Sequence, residues 1–172
     1  MTIDENMLQL QTERLILRRM LATDLDALLL IFTDSKVMAA FNHPPFTRER
    51  MERWLQRNLH HQNEFGYGLF SVILKETGGL IGDCGLEQVE DMVAAELGYD
   101  FRSDFWNRGY ATEAAMAVRD YAFHVLRLPQ LISLIRVGNL ASKRVAEKVG
   151  MTLAEEFTRY GIQYWKYSLK NG

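Results

Sequence analysis

A chain of 172 residues, 48% of them hydrophobic, is long enough to bury one sizeable core and short for two, so the expected organisation is a single domain over residues 1–172. Its 20 basic and 22 acidic residues are scattered and leave a net charge of −2, which argues against a nucleic-acid partner. The lone Cys84 excludes an internal disulfide, and neither a basic-then-apolar start nor a bilayer-length apolar run is present, so the expected setting is cytoplasmic, with no membrane partner.

In chain order, Leu15, Ile16 and Leu17 between polar ends predict a strand, and Thr23-Asp24 opens a helix with Leu25, Leu28, Leu29 and Phe32 on one face. A short second helical piece stops at the Asn42–Phe46 break, because proline disfavours helix at the residue before it. Thr47 caps the next helix, which turns Met51, Trp54 and Leu55 inward. Leu69–Leu74 and Leu80–Leu86 read as strands joined by a Lys75–Gly79 hairpin turn, and Ala95–Phe101 as a further strand. Ala111, Ala114, Ala115, Val118, Ala122 and Val125 recur at helical spacing, with Pro129 beyond the end. Leu131–Val137 is a strand, Asn139 a preferred cap for a helix over Leu140–Val149, and Gly150 its stop. Strands around 152–158 and 163–169 complete the order β-α-α-β-β-β-α-β-α-β-β. Antiparallel strands followed by strand-helix-strand predict an α+β fold, a mixed sheet with helices on both faces.

The chemistry concentrates at the strand Ala95–Phe101 and the segment Trp106–Ala114 after it. A helix that opens on Gly109 presents backbone N–H groups without intrahelical partners and the positive end of its dipole, a place for phosphate that needs no lysine. The loop has neither the Walker spacing nor the dinucleotide glycine pattern, which argues against a nucleotide-phosphate enzyme. The adjacent His60 and His61 point in different directions along a helix, and His43 sits in a turn, so no metal is expected. Cys84, a small residue between the glycines Gly82 and Gly85 of an apolar strand, reads as core packing, with a nucleophilic thiol as the alternative.

The loop Trp106–Ala111 resembles the pyrophosphate loop of the GNAT superfamily of acetyl-CoA-dependent N-acetyltransferases, [QR]-x-x-G-x-[GA], with Gly109 and Ala111 matching and Trp106 in place of Gln or Arg. With Thr12–Arg18, Leu80–Leu86, Gly109–Ala114 and Asn139–Met151 in order, nearly the whole chain is similar to the RimJ/RimL branch. The resemblance implies a mostly antiparallel sheet of six or seven strands whose fourth and fifth splay apart around the pantetheine arm of acetyl-CoA, the expected cosubstrate. It also implies cofactor contacts along the backbone of Tyr99, Asp100 and Phe101, at the loop residues Asn107, Arg108, Gly109, Tyr110, Ala111 and Thr112, and at Asn139, whose bland alternative is a helix cap.

Many members place a Tyr seven residues after that Asn to protonate the leaving thiolate; here that position is Ala146, and the resemblance points to Ser142 instead. Glu96, and after it Glu87, are candidate bases, each with a solvated carboxylate as the ordinary alternative. Arg144 and Lys148 read as a solvated face, or as partners of the cofactor's 3′-phosphate. The implied function is direct acetyl transfer to a primary amine, first of all the N-terminal amine of a protein or peptide. Transfer to a small-molecule amine and a non-catalytic acetyl-CoA sensor remain as alternatives. The acceptor side is expected from the first two helices with their Asn42–Phe46 loop, the Phe65–Gly68 segment and the hairpin around Tyr160–Tyr164; the chain is expected as a monomer or homodimer.

Overall fold

The structure is a computed structural model that describes residues 2–4, 9–89 and 94–172. Nine strands among them form one sheet. They are β1 (Thr2–Asp4), β2 (Gln9–Gln11), β3 (Leu15–Arg19), β4 (Leu69–Leu74), β5 (Leu80–Gln88), β6 (Ala95–Phe101), β7 (Gln130–Arg136), β8 (Thr152–Arg159) and β9 (Ile162–Lys170), in the spatial order β1-β2-β3-β4-β5-β6-β7-β9-β8. Five helices accompany them: α1 (Leu25–Phe32), α2 (Ser35–Phe41), α3 (Arg48–Phe65), α4 (Tyr110–His124) and α5 (Leu140–Val149). The fold class is the one expected. The sheet exceeds seven strands because β1 and β2 are three-residue pieces added at its edge, and α2 is a helix of its own, so three helices stand where the order above has two.

Every neighbouring pair is antiparallel except β6 and β7, whose connection through α4 brings them parallel. That ladder has two positions, Ala95↔Leu131 and Glu96↔Ile132, and then the strands part, which is the splay implied by the resemblance. At the vertex, side chains replace ladder bonds: Ser133 Oγ donates to Leu97 O at 2.7 Å, and Leu134 N reaches Glu96 Oε1 at 3.4 Å.

The period of two along each strand divides the core. Leu15 and Leu17, Phe70 and Val72, Cys84 and Leu86 pack with Leu97 against the alanine-rich side of α4 and against Ala146 and Val149 of α5. Small residues let α4 lie close on the sheet, so its start is held in register with the end of β6. On the opposite face Leu28, Ile31, Phe32, Val37, Met38, Met51 and Leu55 join α1, α2 and α3 in a second cluster over Leu69. Gly85 is required where β5 meets the start of β4, because a Cβ there would lie 2.2 Å from Gly68 O. No helix among the described residues is long and apolar enough to cross a membrane.

Candidate active site

The splay opens a cleft of about 810 Å³ lined by β6, β7, the starts of α4 and α5, α2 and the β8–β9 hairpin. One end is the start of α4. Gly109 caps it in the left-handed region (φ 83°), and no side chain caps it, so the N–H groups of Tyr110, Ala111 and Thr112 are left for a ligand. Asn107 is also left-handed, at φ 59°, which turns the loop tightly before the helix.

The loop is anchored from two sides. Trp106 donates its indole N–H to Phe101 O at 2.8 Å, tying the loop to the end of β6. Glu113, one turn into α4, accepts from Thr12 Oγ1 (2.6 Å), Arg14 N (2.9 Å) and Arg14 Nε (2.7 Å), while Arg14 Nη1 donates to Arg108 O at 2.9 Å and its guanidinium lies 4.4 Å above the Tyr110 ring. Burial works against the Glu113 charge, and these hydrogen bonds outweigh it, so the carboxyl is held below its ordinary value.

Along the middle of the cleft the side of β6 facing β7 has no strand against it beyond Glu96. An amide-bearing chain laid there would find backbone partners in place of the missing ladder. Across from it, Asn139 Oδ1 accepts from Ser142 N at 3.1 Å, so Asn139 is a helix cap; it also lines the cleft. Asn139→Ala is expected to destabilise the fold by about 1 kcal/mol whether or not a ligand is bound, read as a lower denaturant midpoint of the free protein. Tyr99 spans the gap, its phenol donating to Ser142 O at 2.7 Å; burial, with Cys84 and Asp100 nearby, pushes that phenol far up. The Ser142 hydroxyl lines the same cleft and makes no hydrogen bond to the described protein.

The floor of the cleft is acidic. Glu87 of β5 stands directly opposite Glu96 of β6, and Asp83 directly opposite Asp100, with the glycine pair Gly85 and Gly98 between them. Pairs in register share a face, so the four carboxyls lie on the side of the sheet that carries α1 to α3. Like charges directly opposite are destabilising. Burial, then the Glu87 charge, raises Glu96 to about 7 against the opposing pull of Leu134 N and Arg159. Burial also raises Glu87, with His61 and Arg57 pulling the other way. A carboxyl near 7 takes up a proton readily at neutral pH. Phe41 of α2 and Phe157, Tyr160 and Tyr164 of the hairpin also line the cleft.

The sequence-expected residues Glu87, Glu96, Tyr99, Asp100, Phe101, Asn107, Gly109, Tyr110, Ala111, Thr112, Asn139 and Ser142 therefore meet in one cleft. Arg108 is not part of the lining; its carbonyl accepts from Arg14 Nη1. Arg144 and Lys148, read as a solvated face, both line the cleft. Two parts of the expected acceptor side lie elsewhere. The Asn42–Phe46 loop turns away because Phe46 stacks on Phe32, with ring centres 4.9 Å apart, in the second core. Phe65 and Tyr67 pack on His61, whose Nε2 accepts from Gln88 N. Cys84 is fully buried, its thiol pushed well up by burial and by Asp83 and Asp100. Sequence reasoning missed Phe41, Phe157, the Asp100 side chain and Asp83; the last left a signal, an acid inside the apolar run Leu80–Leu86.

The splay thus joins an uncapped helix start and a row of carboxyls, Glu96 and Asp100 among them raised in pKa, in one cleft. Residues 14–152 match the acetyltransferase (GNAT) domain, and the chain belongs to that family of N-acetyltransferases. YkkB of Bacillus subtilis (strain 168) is 34% identical, over 95% of this chain and 96% of its own. Among solved structures, the acetyltransferase of Agrobacterium tumefaciens str. C58 has a TM-score of 0.83 at 30% identity and 98% coverage of both chains. The ribosomal L7/L12 α-N-protein acetyltransferase RimL, solved with coenzyme A, has a TM-score of 0.80 at 18% identity, over 94% of this chain and 97% of its own; that likeness is one of fold.

Proposed function

We propose that the protein transfers acetyl from acetyl-CoA directly to a primary amine, and that the amine is the N-terminus of a protein or peptide. The observation that carries the transfer is the meeting, in one cleft, of the uncapped start of α4 and the Glu96 carboxyl near pKa 7. In this reading the N–H groups of Tyr110 to Thr112 hold the pyrophosphate and the free side of β6 holds the pantetheine amides. Acetyl-CoA supplies the activated acyl group. Glu96 takes one proton from the acceptor ammonium, the freed amine attacks the thioester carbonyl, and as the C–N bond forms and the C–S bond breaks the Ser142 hydroxyl relays the second amine proton to the leaving sulfur and ends as a hydroxyl again. The buried, unpaired thiol of Cys84 fits a cytoplasmic setting.

The fold shared with RimL supports the peptide acceptor. The acidic floor of the cleft favours a second reading, a small multiply charged amine. Release of CoA thiol from acetyl-CoA, measured with peptides of different N-termini and with aliphatic amines, separates them: turnover confined to peptides supports the first, and turnover confined to amines overturns it. Ser142→Ala is expected to lower kcat by about 10- to 100-fold while CoA affinity stays within about twofold. Unchanged kcat would remove Ser142 as the acid.

A further inference from the structure

Asp83 is fully buried, and neither of its carboxyl oxygens has a hydrogen-bond partner among the described residues. Buried acids of this kind are ordinarily paired or hydrogen-bonded. The row of side chains across the sheet makes the omission specific. Arg18, Ser71, Asp83 and Asp100 are successive cross-strand partners on β3, β4, β5 and β6, on the same face. Both polar neighbours on β3 and β4 are engaged by a different acid. Arg18 binds Asp24 through two hydrogen bonds, at 2.7 and 2.8 Å, and Ser71 Oγ donates to the same Asp24 at 2.7 Å. Asp83 is left facing Asp100, which lines the cleft and whose carboxyl has no hydrogen bond or ion pair among the described residues.

The other carboxylate pair differs. Arg57 acts on Glu87, and Arg159 on Glu96, so that pair has protein cations near it. Burial raises both Asp83 and Asp100, and the charges acting on them are those of other carboxyls. The floor of the cleft is thus a proton-handling pair at one end of β6 and, at the other, a pair with no protein cation acting on it. Glu96 and Asp100 stand four positions apart along β6, about 13 Å between Cα positions.

We infer that the acceptor carries a second cationic nitrogen, and that this nitrogen binds at Asp100, with Asp83 behind it, while the reacting amine sits at Glu96. The inference rests on the amine-acetylating reading of the cleft. Its ligand chemistry is an ammonium on a flexible chain, from either a linear diamine or a lysine close to a peptide N-terminus. An acceptor cation at Asp100 supplies the positive partner that the fold leaves out and holds that carboxyl in its ionised form.

The test compares kcat/KM for 1,8-diaminooctane and octylamine, and for Ala-Lys and Ala-norleucine peptides, in the native protein and in Asp100→Asn. The doubly charged member of at least one pair is expected to exceed its singly charged partner by about thirtyfold. Asp100→Asn is expected to reduce that ratio to about threefold through KM. The pair that discriminates identifies the source as a diamine or a lysine-bearing peptide. Equal use of both members of both pairs overturns the inference and leaves amine acetylation standing, as does a ratio that survives Asp100→Asn. Should Asp100→Asn fail to fold, the ratio in Asp83→Asn decides in the same way. If no amine is acetylated, the transfer reading fails, and calorimetric binding of 1,8-diaminooctane to the CoA-saturated protein still decides the inference. Binding that Asp100→Asn abolishes upholds it; no binding overturns it.

Discussion

Gly109→Val is expected to weaken CoA binding by about 100-fold or more in a titration calorimeter, with the folded state retained. Gly109 has φ 83°, a region that a β-branched residue enters at a steric cost. Its added Cβ would also lie 3.3 Å from Arg14 Nη2. That guanidinium cannot easily give way, because it is held by Glu113 and by Arg108 O and lies on the Tyr110 ring. The loop must therefore move, and the N–H groups of Tyr110 to Thr112 lose their aim. Two charge-assisted hydrogen bonds at about 1.5 kcal/mol each amount to the stated factor. Unchanged affinity would mean that the pyrophosphate is held elsewhere.

The second large effect is at Glu96. As a base it acts as the carboxylate, so kcat/KM is expected to rise with pH through about 7 and level off above. Glu96→Gln is expected to lower kcat about 100- to 1000-fold at neutral pH and to remove that rise. The same group acts on stability with the opposite sign. Its folded pKa lies above the value of 4.5 for an unburied glutamate, so the folded state holds more protons between pH 4.5 and 7. The stability it contributes is present below 4.5 and is lost as pH rises through 7, on the order of 3 kcal/mol. Glu96→Gln should flatten that fall in a series of denaturant midpoints. A profile unaltered by the substitution would show that another group takes the proton.

Much of the anion end of the site was legible in the sequence because it is local. An apolar strand, a short loop and a helix opening on Gly109 are consecutive, and the alanine periodicity of α4 states which face meets the sheet. Asn139 was legible as a cap, since a cap is also a relation between near neighbours. The acidic floor was not, because the oppositions of Glu87 to Glu96 and Asp83 to Asp100 depend on strand register, which no single strand records. Asp100 looked like a backbone contact alone. β1 and β2 were missed because three residues are too few to show alternation. The Asn42–Phe46 loop was placed at the acceptor side because its composition marks a turn without saying where Phe46 goes; the second core draws it to Phe32.

The central claim is that one cleft both holds acetyl-CoA and passes its acetyl group to an amine. Quantifying free CoA thiol and acetylated amine in the same reaction tests it most directly. The expected result is equal amounts of the two, appearing only when acetyl-CoA and an acceptor are both present; tight CoA binding with no acetylated product from any peptide or amine would contradict it and leave a protein that binds the thioester without using it.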